Sequence, residues 1–217
     1  MKVALIGATG FVGTNILKEL VNRGHEVSAM SRNSEKSEVK SDKVTPVKVD
    51  VLDTDTLAKA LSGHDAVVSA FNAGWTNPEL YDDFLRGARA IQQAAKKSGV
   101  QRFVVIGGAG SLYLESGLQV VDTPEFPAEI KPGADAARVY LEEIRKENDL
   151  DWAFFSPALE MHRGITMGRT GKYRLGLENP VFDKKGKSVL SGEDVGVVIA
   201  DELEQPRHHK QRFTAAY

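Results

Sequence analysis

Residues 3–20 read VALIGATGFVGTNILKEL, and no other stretch limits the fold of this chain as much. The aliphatic run up to Gly7 has the character of a buried strand. From Phe11 to Arg23 the apolar residues recur at helical spacing, and Gly24 stops them. Glycines at 7, 10 and 13 occupy the turn between the two. A buried strand that passes through so short a turn into an amphipathic helix is the first half of a β-α-β unit. Such units build parallel sheets with helices on the faces.

The alternation continues. EVSAM (26–30), VTPVKVD (44–50), AVVSAF (66–71), RFVVIG (102–107) and WAFFS (152–156) read as further strands. Residues 53–63, 78–98 and 133–147 read as the helices between them, with Asp53 or Thr54 as an N-cap and Gly63 and Gly99 as stops. The expected class is therefore α/β, a Rossmann-like doubly wound parallel sheet forming a single domain over residues 1–217. Residues 164–187, rich in glycine and charge, read as short strands or loops. Residues 191–206 read as a last helix and 211–217 as a last strand. Residues 157–190 are expected to form a small C-terminal lobe on the substrate side.

A strand–glycine turn–helix unit has a chemical reading. Gly7 permits the turn, Gly10 lets a pyrophosphate approach the backbone, and Gly13 lets the helix pack on the sheet. Thr9, Gly10, Phe11, Val12 and Gly13 then offer backbone groups to phosphates at a helix N-terminus. The spacing is G-x-x-G-x-x-G, because Thr9 stands where the commoner fingerprint has its second glycine. At the end of the second strand a protein reading the ribose of NAD places an acidic residue. Here Ser31 and Arg32 occupy that place. The planar fork of Arg32 suits a 2′-phosphate, with Ser31 as an added donor, so NADP is expected and NAD is the alternative. A solvated loop arginine is the competing reading. Ligands in such sheets bind at the carboxyl ends of the strands. Asp50 and Val51 are thus expected to flank the adenine, and Ala70, Phe71 and Asn72 to lie along the ribose and pyrophosphate. Gly107, Gly108, Ser156, Pro157 and Ala158 are expected to line the nicotinamide.

Composition narrows the partners. With 28 Lys plus Arg against 30 Asp plus Glu, the formal charge is −2. That balance argues against a nucleic-acid or anionic-membrane partner. There are no cysteines, so disulfides, thiol catalysis and Cys-ligated zinc are excluded. No metal-ligand pattern occurs, and His208–His209 stand in a polar segment without further ligands. The N-terminus lacks the long apolar segment of a signal peptide, so a cytoplasmic location is expected.

The segments GATGFVG, the strand-end SR, VVSAFNAGW, VVIGGAGSL, VDTPEFPAEIKP, DWAFFSPA, RTGKYRLG and QRFTAAY together carry a family resemblance. The chain resembles the bacterial NADH-flavin reductases, small atypical short-chain dehydrogenase/reductases. These are similar to biliverdin IXβ/flavin reductases and to NmrA-like proteins, and are often labelled NAD-dependent epimerase/dehydratases. The resemblance implies a nicotinamide cofactor and reduction of flavins or similar conjugated acceptors.

Typical short-chain dehydrogenases use a Tyr-x-x-x-Lys pair on the helix after the fifth strand. Here Tyr140 is followed four residues on by Ile144, and Arg138 and Arg145 lie at other offsets. That departure weighs against alcohol oxidation and sugar epimerisation, and favours hydride transfer to a ring needing little acid–base help. Ser111 is the candidate to hydrogen-bond the acceptor, or else a turn serine capping a backbone group. His162 is the candidate proton donor, or else a surface histidine. Trp75, Tyr113 and Phe71 form a stacking wall or simply pack. Arg169, Lys172 and Arg174 meet a flavin phosphate or make a solvated hairpin. A small-molecule acceptor is the expected partner, and a non-catalytic dinucleotide sensor is the alternative function.

Overall fold

Buried apolar residues on both sides of the central strands decide the architecture. A computed structural model describes all 217 residues. In β1 (Lys2–Ile6) the four residues from Val3 onward are all buried, which requires cover on both faces. The remaining strands are β2 (Glu26–Ser31), β3 (Val44–Lys48), β4 (Ala66–Ser69), β5 (Arg102–Ile106), β6 (Asp151–Ser156), β7 (Arg174–Gly176) and β8 (Gln211–Ala216). They form one sheet in the order β3-β2-β1-β4-β5-β6-β8-β7, parallel throughout except for β7, which runs antiparallel to β8. The sheet is the doubly wound Rossmann-like arrangement, and its strand order reverses between β1 and β4.

The helices are α1 (Phe11–Asn22), α2 (Thr54–Leu61), α3 (Leu80–Ser98), α4 (Lys131–Ile144) and α5 (Gly192–Glu204). Alternate strand residues feed two apolar layers of 26 and 24 buried residues, so neither face is left to solvent. Ile6, Val105 and Phe154 meet Leu57, Ile91 and Tyr140 of α2, α3 and α4. On the other face, Leu5, Phe155 and Phe213 meet Leu17 of α1 and Val198 of α5.

The strands expected to run to residues 50 and 71 stop at Lys48 and Ser69, because the chain turns at the sheet edge to build loops there. The expected C-terminal segment, 157–190, adds β7 to the far edge of the sheet and otherwise runs as loops. It is stapled down by one buried carboxylate. Asp194 accepts from the Thr170 hydroxyl at 2.5 Å, the Gly171 amide at 2.8 Å and the Tyr217 hydroxyl at 2.7 Å. Beside it, Arg169 forks onto the Glu19 carboxylate of α1 at 2.8 Å. No helix is long and apolar enough to cross a membrane.

Candidate functional site

The three glycines of the first turn answer to different constraints. Gly7 has φ +80°, and a Cβ there would overlap the carbonyl of Ala70 beyond β4. A Cβ on Gly13 would overlap the Gly7 carbonyl. Both glycines are demanded by packing within the chain. Gly10 is not: a Cβ there would find only the Gly7 carbonyl, at 3.4 Å. Its φ of −77° suits any residue. The space over Gly10 is open for something outside the chain.

That space lies at the start of α1. Gly10 caps the helix without a side chain, and no acidic residue stands in the first turn. The N–H groups of Thr9, Phe11, Val12 and Gly13 meet no acceptor within the chain. The contrast with the other capped helices is direct. Asp53 accepts from Thr56 at α2 at 3.1 Å, and Ser191 accepts from Asp194 at α5 at 3.0 Å. Free amides and the positive end of the helix dipole converge on one point, which fits a diphosphate.

The neighbouring strand ends flank this point. Arg32 is exposed, with no hydrogen bond or ion pair in the chain, and the buried Ser31 hydroxyl beside it has no partner. Asp50 turns its carboxylate onto the Leu52 amide at 3.0 Å. Val51 is half-buried and Leu52 is 46% exposed. Leu52 therefore adds an apolar surface that the sequence reading did not single out. Its only signal there is an aliphatic residue at a strand end that the core does not require. Ala70 and Asn72 lie at the edge, Asn72 accepting from the Gly74 amide at 2.7 Å. The Phe71 ring instead packs inward on Phe84, at 6.1 Å between centroids, and against Gly87. Only its backbone remains at the edge, beside Gly7.

Beyond β5 and β6 the floor is deeper than expected. A side chain on Gly107 would overlap the Phe154 ring, so packing requires that glycine, whereas Gly108 would meet only Ala137, at 3.5 Å. Ser111 is 2% exposed. Its hydroxyl faces the Gly108 carbonyl at 3.5 Å and accepts from the guanidinium of the fully buried Arg212 at 3.2 Å. In this arrangement Ser111 fastens the turn over residues 109–111. Ser156, Pro157 and Ala158 are all buried, and the Ser156 hydroxyl has no partner. His162 is exposed; its Nδ1 accepts from the Gly164 amide at 3.1 Å, which leaves Nε2 outward. Next to it, Arg163 lies over the Phe11 ring at 4.9 Å with no carboxylate partner. This guanidinium is held at the start of α1. The sequence reading missed it, because nothing local in the sequence pairs it with Phe11.

Other sequence candidates are committed elsewhere. Tyr140 is 1% exposed and donates to Gln92 at 3.1 Å, and burial pushes its hydroxyl far above the ordinary tyrosine range. Arg169 is tied to Glu19, and its hydrogen bonds hold that carboxyl below the usual range against burial, with Arg23 assisting. Arg174 donates to the backbone carbonyls of Phe182 and Tyr217. Neither is placed to meet a flavin phosphate. His208 bonds Glu202 at 2.8 Å and stacks on Phe213, and Arg102 joins the same cluster. Arg102 opens β5, so this cluster sits at the amino end of the strands, away from the glycine turn. No group of three or more His, Asp or Glu side chains stands ready for a metal ion.

Comparison with known proteins agrees with this geometry. Residues 7–206 match the profile of a family described as NAD(P)H-binding. The uncharacterised protein YwnB of Bacillus subtilis is 37% identical over 216 residues, covering 99% of this chain and 97% of its own. A provisionally named epimerase from Bacteroides thetaiotaomicron superimposes with a TM-score of 0.90 at 43% identity, over 100% of this chain and 96% of that one. A provisionally named NADH-flavin reductase from Streptococcus pneumoniae does so with a TM-score of 0.86 at 37% identity, over 100% of this chain and 99% of that one.

Proposed function

Because this chain belongs to the NAD(P)H-binding family, we propose that it is an NADPH-dependent reductase of a flavin, a quinone or a similar small conjugated acceptor. One juxtaposition carries the reading: an anion-seeking helix start with no positioned acid–base pair beside it. Tyr140 is buried and Ile144 stands where a lysine would assist it. Alcohol oxidation and sugar epimerisation need such a pair, and a conjugated ring does not. The S. pneumoniae relative's description points the same way.

In this reading the amides of Thr9, Phe11, Val12 and Gly13 hold the diphosphate over Gly10, and Arg163 faces it from across Phe11. Arg32 and Ser31 take the 2′-phosphate, which selects NADPH over NADH. Val51 and Leu52 cover the adenine. Gly108 gives the nicotinamide a floor without a side chain. When bound, the reduced cofactor supplies a hydride, two electrons with one hydrogen, to the acceptor. The matching proton comes from water or from the outward nitrogen of His162. The chain thus acts mainly by holding two rings in register. Such a reductase belongs in the cytoplasm, where NADPH is regenerated.

Titrating NADPH and NADH against the protein tests the cofactor assignment. Arg32→Ala is expected to weaken NADPH roughly tenfold or more, the scale of one charge-assisted contact, and to leave NADH nearly unchanged. Equal affinity of the unaltered protein for both cofactors would overturn the NADPH assignment. The depth of Ser111 favours one second reading, a non-catalytic cofactor sensor, since its hydroxyl does not reach the open edge. Following NADPH absorbance with a panel of flavins and quinones separates the two. Binding without turnover across the panel leaves the sensor.

A further inference from the structure

Trp75 is 60% exposed, while the other tryptophan, Trp152, is 1% exposed inside β6. Among the large apolar side chains left in water it is the bulkiest and the most exposed. Yet the ring is seated. A Cβ on Gly133 would stand 3.0 Å from Cζ3 of Trp75 and 3.1 Å from the Leu80 side chain. The indole edge therefore rests closely on the first turn of α4, where the glycine leaves it room.

The loop that carries Trp75 is pinned on both sides. Asn72 accepts from the Gly74 amide at 2.7 Å, the Asn77 amide donates to the Gly74 carbonyl at 3.0 Å, and the Asn77 side chain donates to Asp83 at 2.9 Å. This loop continues from Ala70, whose carbonyl backs Gly7. The same first turns of α4 bring Ala134 and Ala137 against Gly110 and Gly108. Trp75 thus stands at the corner of the carboxyl edge between β4 and β5, where the hydride is delivered in the function proposed above. The first cations of the flanking helices, α3 and α4, are engaged elsewhere. The Lys131 amine is turned to the Val121 carbonyl, and Arg86 pairs with Asp83 at 2.7 Å.

We propose that Trp75 is a specificity-determining residue that stacks on the flat conjugated ring of the acceptor and recognises the ring itself, not an anionic tail. The inference rests on the reductase reading for its acceptor but concerns binding, so the two can fail separately. An aromatic face held by its edge on a glycine is a preformed platform with little freedom left to lose on binding.

Riboflavin, which has the ring without a phosphate, is the probe. Titrated into the NADP⁺-loaded protein, it is expected to quench tryptophan fluorescence strongly in the unaltered chain and in Trp152→Phe, and much less in Trp75→Phe, where only energy transfer from Trp152 remains. In turnover with NADPH, Trp75→Ala is expected to raise the KM for riboflavin about tenfold. Trp75→Phe should restore most of that loss, and NADPH affinity should stay the same in both. Absence of riboflavin binding to the unaltered protein overturns the proposal. So does an unchanged KM in Trp75→Ala, or a loss of NADPH affinity equal to that of riboflavin. Riboflavin binding that depends on Trp75, with no turnover of any flavin or quinone in the panel, upholds this inference and overturns the reductase reading instead.

Discussion

Gly10 and Gly13 stand three positions apart, yet a methyl group added to each should have opposite consequences. On Gly13 it meets the Gly7 backbone, which cannot move without disturbing the β1–α1 turn. Gly13→Ala is expected to cost about 1–3 kcal/mol or more, the usual penalty for overfilling a packed site, read as a fall in denaturant midpoint. On Gly10 the methyl has room, so Gly10→Ala should keep its stability and lose NADPH affinity roughly tenfold. A Gly10→Ala protein that binds NADPH normally would remove the diphosphate from this turn. The packing role of Gly13, like that of Gly7, was legible because the spacing encodes a backbone path, which depends on few neighbours. The depth of Ser111 and the stacking of Arg163 on Phe11 were not. Both are set by side chains distant in sequence, Arg212 in one case and the loop beyond β6 in the other.

At the scale of elements, alternation of strand and helix pointed to a parallel sheet with helices on both faces, since continuous apolar runs demand cover on each side; the strand order came only with the structure. The segment between β6 and α5 was opaque for a physical reason. Apart from the short β7, its hold on the molecule is a set of polar bonds to scattered partners, Asp194 and Glu19 among them, and polar bonds leave no period in a sequence. Burial opposes ionisation of Asp194, but hydrogen bonds from Thr170, Tyr217 and Gly171 outweigh it and hold the carboxyl below its usual range. Asp194→Asn removes the charge from these bonds, each worth about 1.5–3 kcal/mol when charge-assisted. A loss of about 2 kcal/mol should lower Tm by roughly 4–8 °C in a chain of this size. Limited proteolysis should then cut first near residues 168–171. Unchanged cleavage there would mean that the Arg169–Glu19 pair and the Ser191–Gly168 bond secure the segment without the Asp194 charge.

For the whole molecule, buried and paired carboxylates set the response to acid. Glu147 is held at about 2, where backbone and side-chain hydrogen bonds from Asp149, Gln92 and Lys96 overcome its burial. Glu19, Asp194 and Glu202 are lowered as well. A carboxyl lowered in the folded state stabilises the fold above its ordinary value, 4.5 for glutamate and 3.8 for aspartate. That stabilisation drains away as the pH falls through the lowered value. Circular dichroism should therefore show stability level near neutrality and declining from about pH 4.5 toward pH 2. Glu202→Gln should flatten part of that decline; an identical acid limb would place the buried Arg102–Glu202–His208 cluster outside the balance. The order of the sheet has one more consequence, for how copies of this molecule can meet. Its outer strands are β3, where Pro46 lacks an amide proton, and β7, which is three residues long. An incoming strand finds too short and too broken a ladder on either side to continue the sheet. Growth into ribbons or fibres by adding strands is thereby disfavoured for the folded chain, and helix or loop surfaces are the better places for two copies to meet.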